Sequence, residues 1–135
     1  YLRDHFPARN VKAFELRKHN TDPRKNALHL DCCFQPVGRN LAIIHRESFI
    51  DPADYRWLRD YFGPENVFEI TEEEMYRMFS NIFSISPEVV VSDQSFDRLN
   101  TWLRSRGITV EEIAYQEVGK QGGLLRCSTL PLERL

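Results

Sequence analysis

Cysteine is scarce in this sequence: three residues in 135, with Cys32 and Cys33 side by side and Cys127 alone. An odd set with one adjacent pair is a poor disulfide framework and points to a reducing, cytoplasmic setting. No Cys-x-x-Cys pair occurs, and neighbouring cysteines on an extended segment point apart. The spacing therefore argues against zinc, although His29, Cys32, Cys33 and Cys127 add up to a ligand set by residue type. Long apolar runs are also missing: nothing approaches the ~20 residues needed to cross a bilayer, and no signal-peptide pattern opens the chain. Positive charge is not in excess. Eighteen Lys and Arg against twenty Asp and Glu leave a formal net charge of −2, which excludes a strongly basic nucleic-acid binder. No G-x-S-x-G elbow is present, so a serine hydrolase has no support.

What is there is globular. A hydrophobic fraction of 41% and a charged fraction of 28% suit a folded chain rather than a disordered tail. The length fits one domain able to bury roughly two-thirds of its unfolded surface. The chain begins with Tyr1, and "YLRDHFPARN" reads as the end of a helix followed by a loop, so a preceding segment is expected.

One pattern occurs twice. Residues 28–37 and 41–45 read as strands around the turn "GRN". In "DPADYRWLRDYFG", Asp51 suits an N-cap, Pro52 the first helical position and Gly63 the stop, with Tyr55, Leu58 and Phe62 as one apolar stripe. "NVFEI" is then a short strand. "TEEEMYRMF" follows as a short helix with Thr71 and Glu74 in capping-box positions. "NIFSIS" and "EVVVSD" form a second strand pair, "SFDRLNTWLRSRG" a second helix striped by Phe96, Leu99 and Leu103, and "ITVEEIAY" a further strand. The helix-ending glycines lie 44 residues apart (107 − 63), as do the helix starts Asp51 and Ser95 (95 − 51). A strand–strand–helix–strand unit at that period predicts a modular, propeller-like or stacked α/β architecture. An ordinary α+β sheet whose helices share a spacing fits the same pattern. His5, His19 and His45 carry no motif, and a surface position is the default for each.

Two stretches carry candidate chemistry. If "LHLDCCF" is a strand, parity puts His29, Asp31 and Cys33 on one face and Leu28, Leu30, Cys32 and Phe34 on the other. A base and a carboxylate on one face fit either a solvated edge or a cation site in which His29 moves protons. In "GGLLRCSTLPLERL", read as a last strand, Cys127 follows Gly122 and Gly123. A lone cysteine in an apolar strand is commonly inert, whereas paired glycines allow unusual dihedrals and close approach beside it. A thiol becomes a nucleophile when a neighbour stabilises its thiolate.

Together, "HLDCCF" and the later "GGLLRCSTLPLER" resemble the guanidino-group-modifying enzyme superfamily: arginine deiminases, dimethylargininases and glycine amidinotransferases. The resemblance covers most of the chain from about Val11 onward, and its motifs are specific in combination rather than singly. It implies an α/β fold, the pentein or α/β propeller, with five pseudo-symmetric modules around a polar centre. Residues 1–135 would then be the C-terminal part of one catalytic domain, about half of the ring. Its modules would span approximately 28–70 and 71–115, followed by a nucleophile strand at 122–135.

By the same resemblance Cys127 matches the nucleophile, His29 the general acid/base and Asp31 the carboxylate that holds a guanidinium, with Gly122 and Gly123 as the backbone hinge. The implied reaction is covalent, through a thiouronium-type intermediate, on arginine or a derivative. Dimethylargininases generally lack an acid at the position of Asp31, which tilts the expectation toward deiminases and amidinotransferases. A dimethylargininase-type hydrolase and a non-catalytic binding pentein are the alternatives. No cofactor, metal, nucleic acid or membrane is implied. Further family carboxylates lie in an N-terminal half, so the expected partners include that half of the domain or a second chain. Exposed strand edges would favour a homo-oligomer.

Overall fold

The computed structural model describes residues 2–132. Tyr1, the residue on which the expectation of a preceding segment rests, and 133–135, the end of the expected last strand, lie outside the described residues. After α1 (Leu2–His5) the chain runs without regular structure until residue 23, pinned by a bridge between Leu16 and Phe49. Lys18 fastens this segment by donating to the Ala27 and Leu28 carbonyls, both at 2.6 Å.

Two three-stranded sheets of identical topology follow. In the first, β1 (Phe34–Val37) turns at Gly38 into antiparallel β2 (Leu41–Ile44), with Phe34 opposite Ile44. The chain then passes through α2 (Pro52–Phe62) and returns as β3 (Val67–Glu69), parallel to β2, with Ile43 opposite Phe68. After α3 (Glu72–Tyr76) the order repeats. β4 (Phe83–Ser84) pairs antiparallel with β5 (Val89–Asp93), and α4 (Asp97–Ser105) leads to β6 (Thr109–Ile113), parallel to β5. The short helices α5 (Gln116–Gly119) and α6 (Leu125–Ser128) complete the described chain.

Local chemistry accounts for most of these boundaries. Asp51 caps α2 by accepting from Ala53 N at 2.8 Å, with Pro52 in the first turn. Thr71 and Glu74 form both bonds of a capping box at α3. Ser95 does not start the second helix. Its amide and hydroxyl both donate to Asp93 Oδ1, at 2.8 and 2.5 Å, and α4 begins two residues later. The serine serves the carboxylate that ends β5 instead of the helix amides.

The helix stripes pack as their spacing predicts. Tyr55 and Leu58 of α2 are buried, and Phe96, Leu99 and Leu103 are wholly so. Each such side chain contributes about 1.5–3 kcal/mol by leaving water. The two modules share one core, since Phe68 of β3 meets Trp102 of α4 at 5.1 Å between ring centroids. His45 departs from its surface default. It is buried, with Nδ1 2.7 Å from Ser48 Oγ and Nε2 3.3 Å from a Glu47 carboxylate oxygen. Burial lowers its pKa, and the neighbouring Glu47 only partly opposes this. Among the described residues no helix is long and apolar enough to cross a membrane.

Candidate active site

The expected strand at 28–37 begins only at Phe34. Residues Leu30–Cys32 instead form one turn of 3-10 helix, closed by Cys32 N on His29 O at 3.2 Å and Cys33 N on Leu30 O at 3.0 Å. Three residues per turn replace the two-residue period, so the face assignments change. Cys33 is fully buried, with its thiol on Leu30 O at 3.4 Å, and does not join His29 and Asp31. Cys32 does: one side-chain donor atom from each of His29, Asp31 and Cys32 lies within 4.8 Å of the others. Leu28 and Leu30, assigned to the face opposite His29 and Asp31, are exposed.

Burial pushes the Cys32 thiol up. Burial also drives the Cys33 thiol up to about 12.

The expected last strand at 122–135 is likewise a helix where it matters, because Cys127 lies in α6. Its amides find partners without a sheet. Leu124 N and Cys127 N donate to Asn81 Oδ1 at 3.1 and 3.2 Å, and Arg126 N donates to Asn81 O at 3.2 Å. With those donors satisfied by one asparagine, no ladder is required. The glycine pair acts through two separate effects. Gly122 has φ +87°, a conformation that favours glycine, whereas a β-carbon on Gly123 would press against Cys127 itself. Leu124 and Leu125 are buried and anchor the turn, leaving Cys127 exposed.

Asn81 is the residue that sequence reasoning missed. It is completely buried between α3 and β4. Its Nδ2 donates to Asp31 Oδ2 at 3.3 Å and to Cys127 Sγ at 3.1 Å, and the Cys127 thiol donates to Asp31 Oδ2 at 3.5 Å. Ser80 Oγ adds a bond to Asp31 O at 2.9 Å. The chain reaches this point through a Schellman turn after α3, in which Phe79 N bonds Glu74 O at 3.0 Å and Met78 N bonds Met75 O at 2.9 Å. Met78 takes the left-handed position with φ 64°, costing about 1–2 kcal/mol relative to a right-handed residue. No motif announces Asn81. The only signal is a polar residue directly ahead of an apolar strand.

Of the sequence-predicted residues, Asp31 and Cys127 are thus in contact, and His29 flanks Asp31. A cavity of about 920 Å³ opens beside Asp31 between the first strands of the two modules, and neither His29 nor Cys127 is among its walls. Asp31, Phe34, Gln35, Phe83, Ile85 and Arg126 are among its walls.

The family model for eukaryotic N,N dimethylarginine dimethylhydrolases matches residues 8–134. The chain belongs to this family. Among curated proteins, the uncharacterized protein YkgA of Bacillus subtilis is 31% identical over 107 residues, 79% of this chain and 36% of that one. The chain spans about a third of the length of the curated relatives it matches. Unliganded AgrE superposes with a TM-score of 0.70 at 26% identity, over 84% of this chain and 16% of AgrE. A mutant of AgrE has been crystallised with L-arginine. The N-terminal domain of ArgZ, a cyanobacterial arginine dihydrolase, superposes with a TM-score of 0.77 over 98% of this chain and 45% of that one. Its 20% identity shows the fold alone. The fold is the pentein, represented here by two modules and the segment that carries Cys127. Within the guanidino-modifying superfamily, the match falls in the dimethylargininase branch, whereas the expectation had tilted toward deiminases and amidinotransferases.

Proposed function

We propose that this chain carries the nucleophilic part of an amidine hydrolase acting on a guanidino compound, arginine or a derivative. The observation that supports it best is the contact of Asp31 with Cys127, 3.5 Å apart across 96 positions of sequence. A thiol and a carboxylate side by side suit a flat cation whose carbon is electrophilic and whose N–H groups seek an anion. Asp31 offers two oxygens to an unsubstituted guanidinium edge, a bidentate match that a methylated edge forfeits.

In this reading the Cys127 thiolate forms an S–C bond to the central guanidinium carbon. The C–N bond to the departing amine then breaks, and His29 supplies the proton that the amine takes with it. The resulting thiouronium adds a water that His29 deprotonates. The hydroxyl proton passes to solvent as the C=O bond forms and the S–C bond breaks, so the thiolate returns and a ureido product leaves. The substrate's positive charge stabilises the thiolate beside it, so binding and activation reinforce each other. Further carboxylates are supplied by the rest of the protein or by a second chain, closing the ring around the cavity. The three cysteines are free, and we place the enzyme in the reducing cytoplasm.

Mass spectrometry of products from the full-length protein incubated with arginine and its methylated derivatives, with and without glycine, tests this reading. A ureido product formed independently of glycine is the expected result. Guanidinoacetate appearing with glycine would make the enzyme a transferase, and no conversion of any guanidino compound by the folded protein would overturn the proposal.

A further inference from the structure

We infer that Asn81 is a positioning residue for the nucleophile: its side-chain amide orients the Cys127 sulfur and supports the thiolate beside the Asp31 charge. The inference rests on Cys127 being the nucleophile of the proposed reaction. Only one orientation of the amide satisfies all its neighbours. Oδ1 faces two backbone donors, Leu124 N and Cys127 N, at 3.1 and 3.2 Å. Nδ2 faces two acceptors, Asp31 Oδ2 at 3.3 Å and Cys127 Sγ at 3.1 Å. Flipping the group would set oxygen against carboxylate and sulfur, and NH2 against N–H groups. The amide's two hydrogens therefore go one to each atom that is negative in the reactive state.

The two ends of Asn81 do different work. The oxygen end is structural, because it holds α6 in place without a sheet. The nitrogen end is chemical. A Cys127 thiolate would stand 3.5 Å from the Asp31 carboxylate oxygen, two like charges side by side. A donor shared between them offsets that repulsion, and burial of Asn81 keeps water from taking its place. An apolar residue of similar size would leave two amides and a carboxylate oxygen short of a partner.

Asn81→Asp separates the two roles, because it keeps Oδ1 for the backbone amides and replaces the donor by a second carboxylate oxygen facing sulfur and Asp31. The measurement is the rate of Cys127 alkylation by iodoacetamide in the full-length protein, read by peptide mass spectrometry as a function of pH. The variant's half-maximal rate should move up by about one pH unit, with alkylation about tenfold slower near neutrality. A profile superimposable on the unmodified protein's would overturn the inference. Should the variant lose its cooperative melt, the unmodified protein decides the matter by NMR. The Asn81 side-chain NH2 resonances should titrate with the Cys127 thiol and stop titrating once it is alkylated, and resonances indifferent to both would overturn the inference. Turnover of Cys127→Ser is read separately. If it persists, the nucleophile assignment falls. If it is abolished while the alkylation profiles coincide, the assignment stands and the role given to Asn81 falls.

Discussion

Gly123 lies directly under the side chain of Cys127, where a β-carbon built on the glycine would stand 2.8 Å from Cys127 Cβ and 3.4 Å from its Sγ. The obstructed atom is tied to the backbone, so relief requires α6 itself to shift. A displacement approaching 1 Å at a reacting atom can lower turnover on the order of a hundredfold. Gly123→Ala should therefore cut kcat by ten- to a hundredfold, as roughly expected of such misplacement. Gly122→Ala meets no neighbour within 4 Å but is strained at φ +87°, so it should cost about 1–2 kcal/mol in equilibrium denaturation. Equal kcat losses in the two variants would show that the contact under Cys127 is unimportant.

The three thiols should separate by access. Cys127 is exposed, whereas Cys32 and Cys33 are buried, with burial raising both thiols and Cys33 reaching about 12. A haloacetamidine added to the full-length protein near neutral pH should modify Cys127 first and leave Cys33 untouched until denaturant is added. Peptide mapping showing all three labelled at similar rates would remove the distinction.

Asp31 has a different signature. Asp31→Asn keeps the shape of the group but removes the charge offered to a guanidinium. A charge-assisted hydrogen bond is worth about 1.5–3 kcal/mol, so substrate affinity should fall roughly ten- to a hundredfold. Isothermal titration with a guanidino ligand on a Cys127→Ser background reads binding without turnover. Unchanged affinity would take the guanidinium role away from Asp31.

Asp93 sets an acid limit to stability. Burial by itself would raise its pKa, but bonds from Ser95 Oγ, Ser95 N and Tyr115 N outweigh that and hold it below the ordinary carboxylate range. A depressed folded-state pKa stabilises the protein above the unfolded value, roughly 4, and the contribution is lost as pH falls through the folded value. Asp93→Asn should lower Tm clearly at pH 7. The gap should narrow below about pH 4, where acid neutralises Asp93 in the unmodified protein as well. A Tm difference independent of pH would mean that the charge contributes nothing.

Where sequence patterns were legible, the controlling interactions are local. The 44-residue recurrence from Gly63 to Gly107 (107 − 63) marks two sheets of the same topology, and the Thr71–Glu74 capping box forms as written. Parity failed at 29–33 because hydrogen bonds three residues apart turn Leu30–Cys32 into a 3-10 helix, exchanging Cys32 for Cys33. The strand expected at Cys127 failed because the amides there are met by Asn81, 46 positions away, rather than by a neighbouring strand. Asn81, so far away in sequence, leaves no mark on the pattern around Cys127.

The caps at Asp51 and Thr71, the apolar stripes and the elements of the repeated unit were set by the order of residues alone, since each depends on neighbours within about one helical turn or one strand. The company kept by the Cys127 sulfur was decided only in three dimensions. A buried amide joins residues 31, 81 and 127 in space, and whether its polar atoms are matched depends on all three segments arriving together.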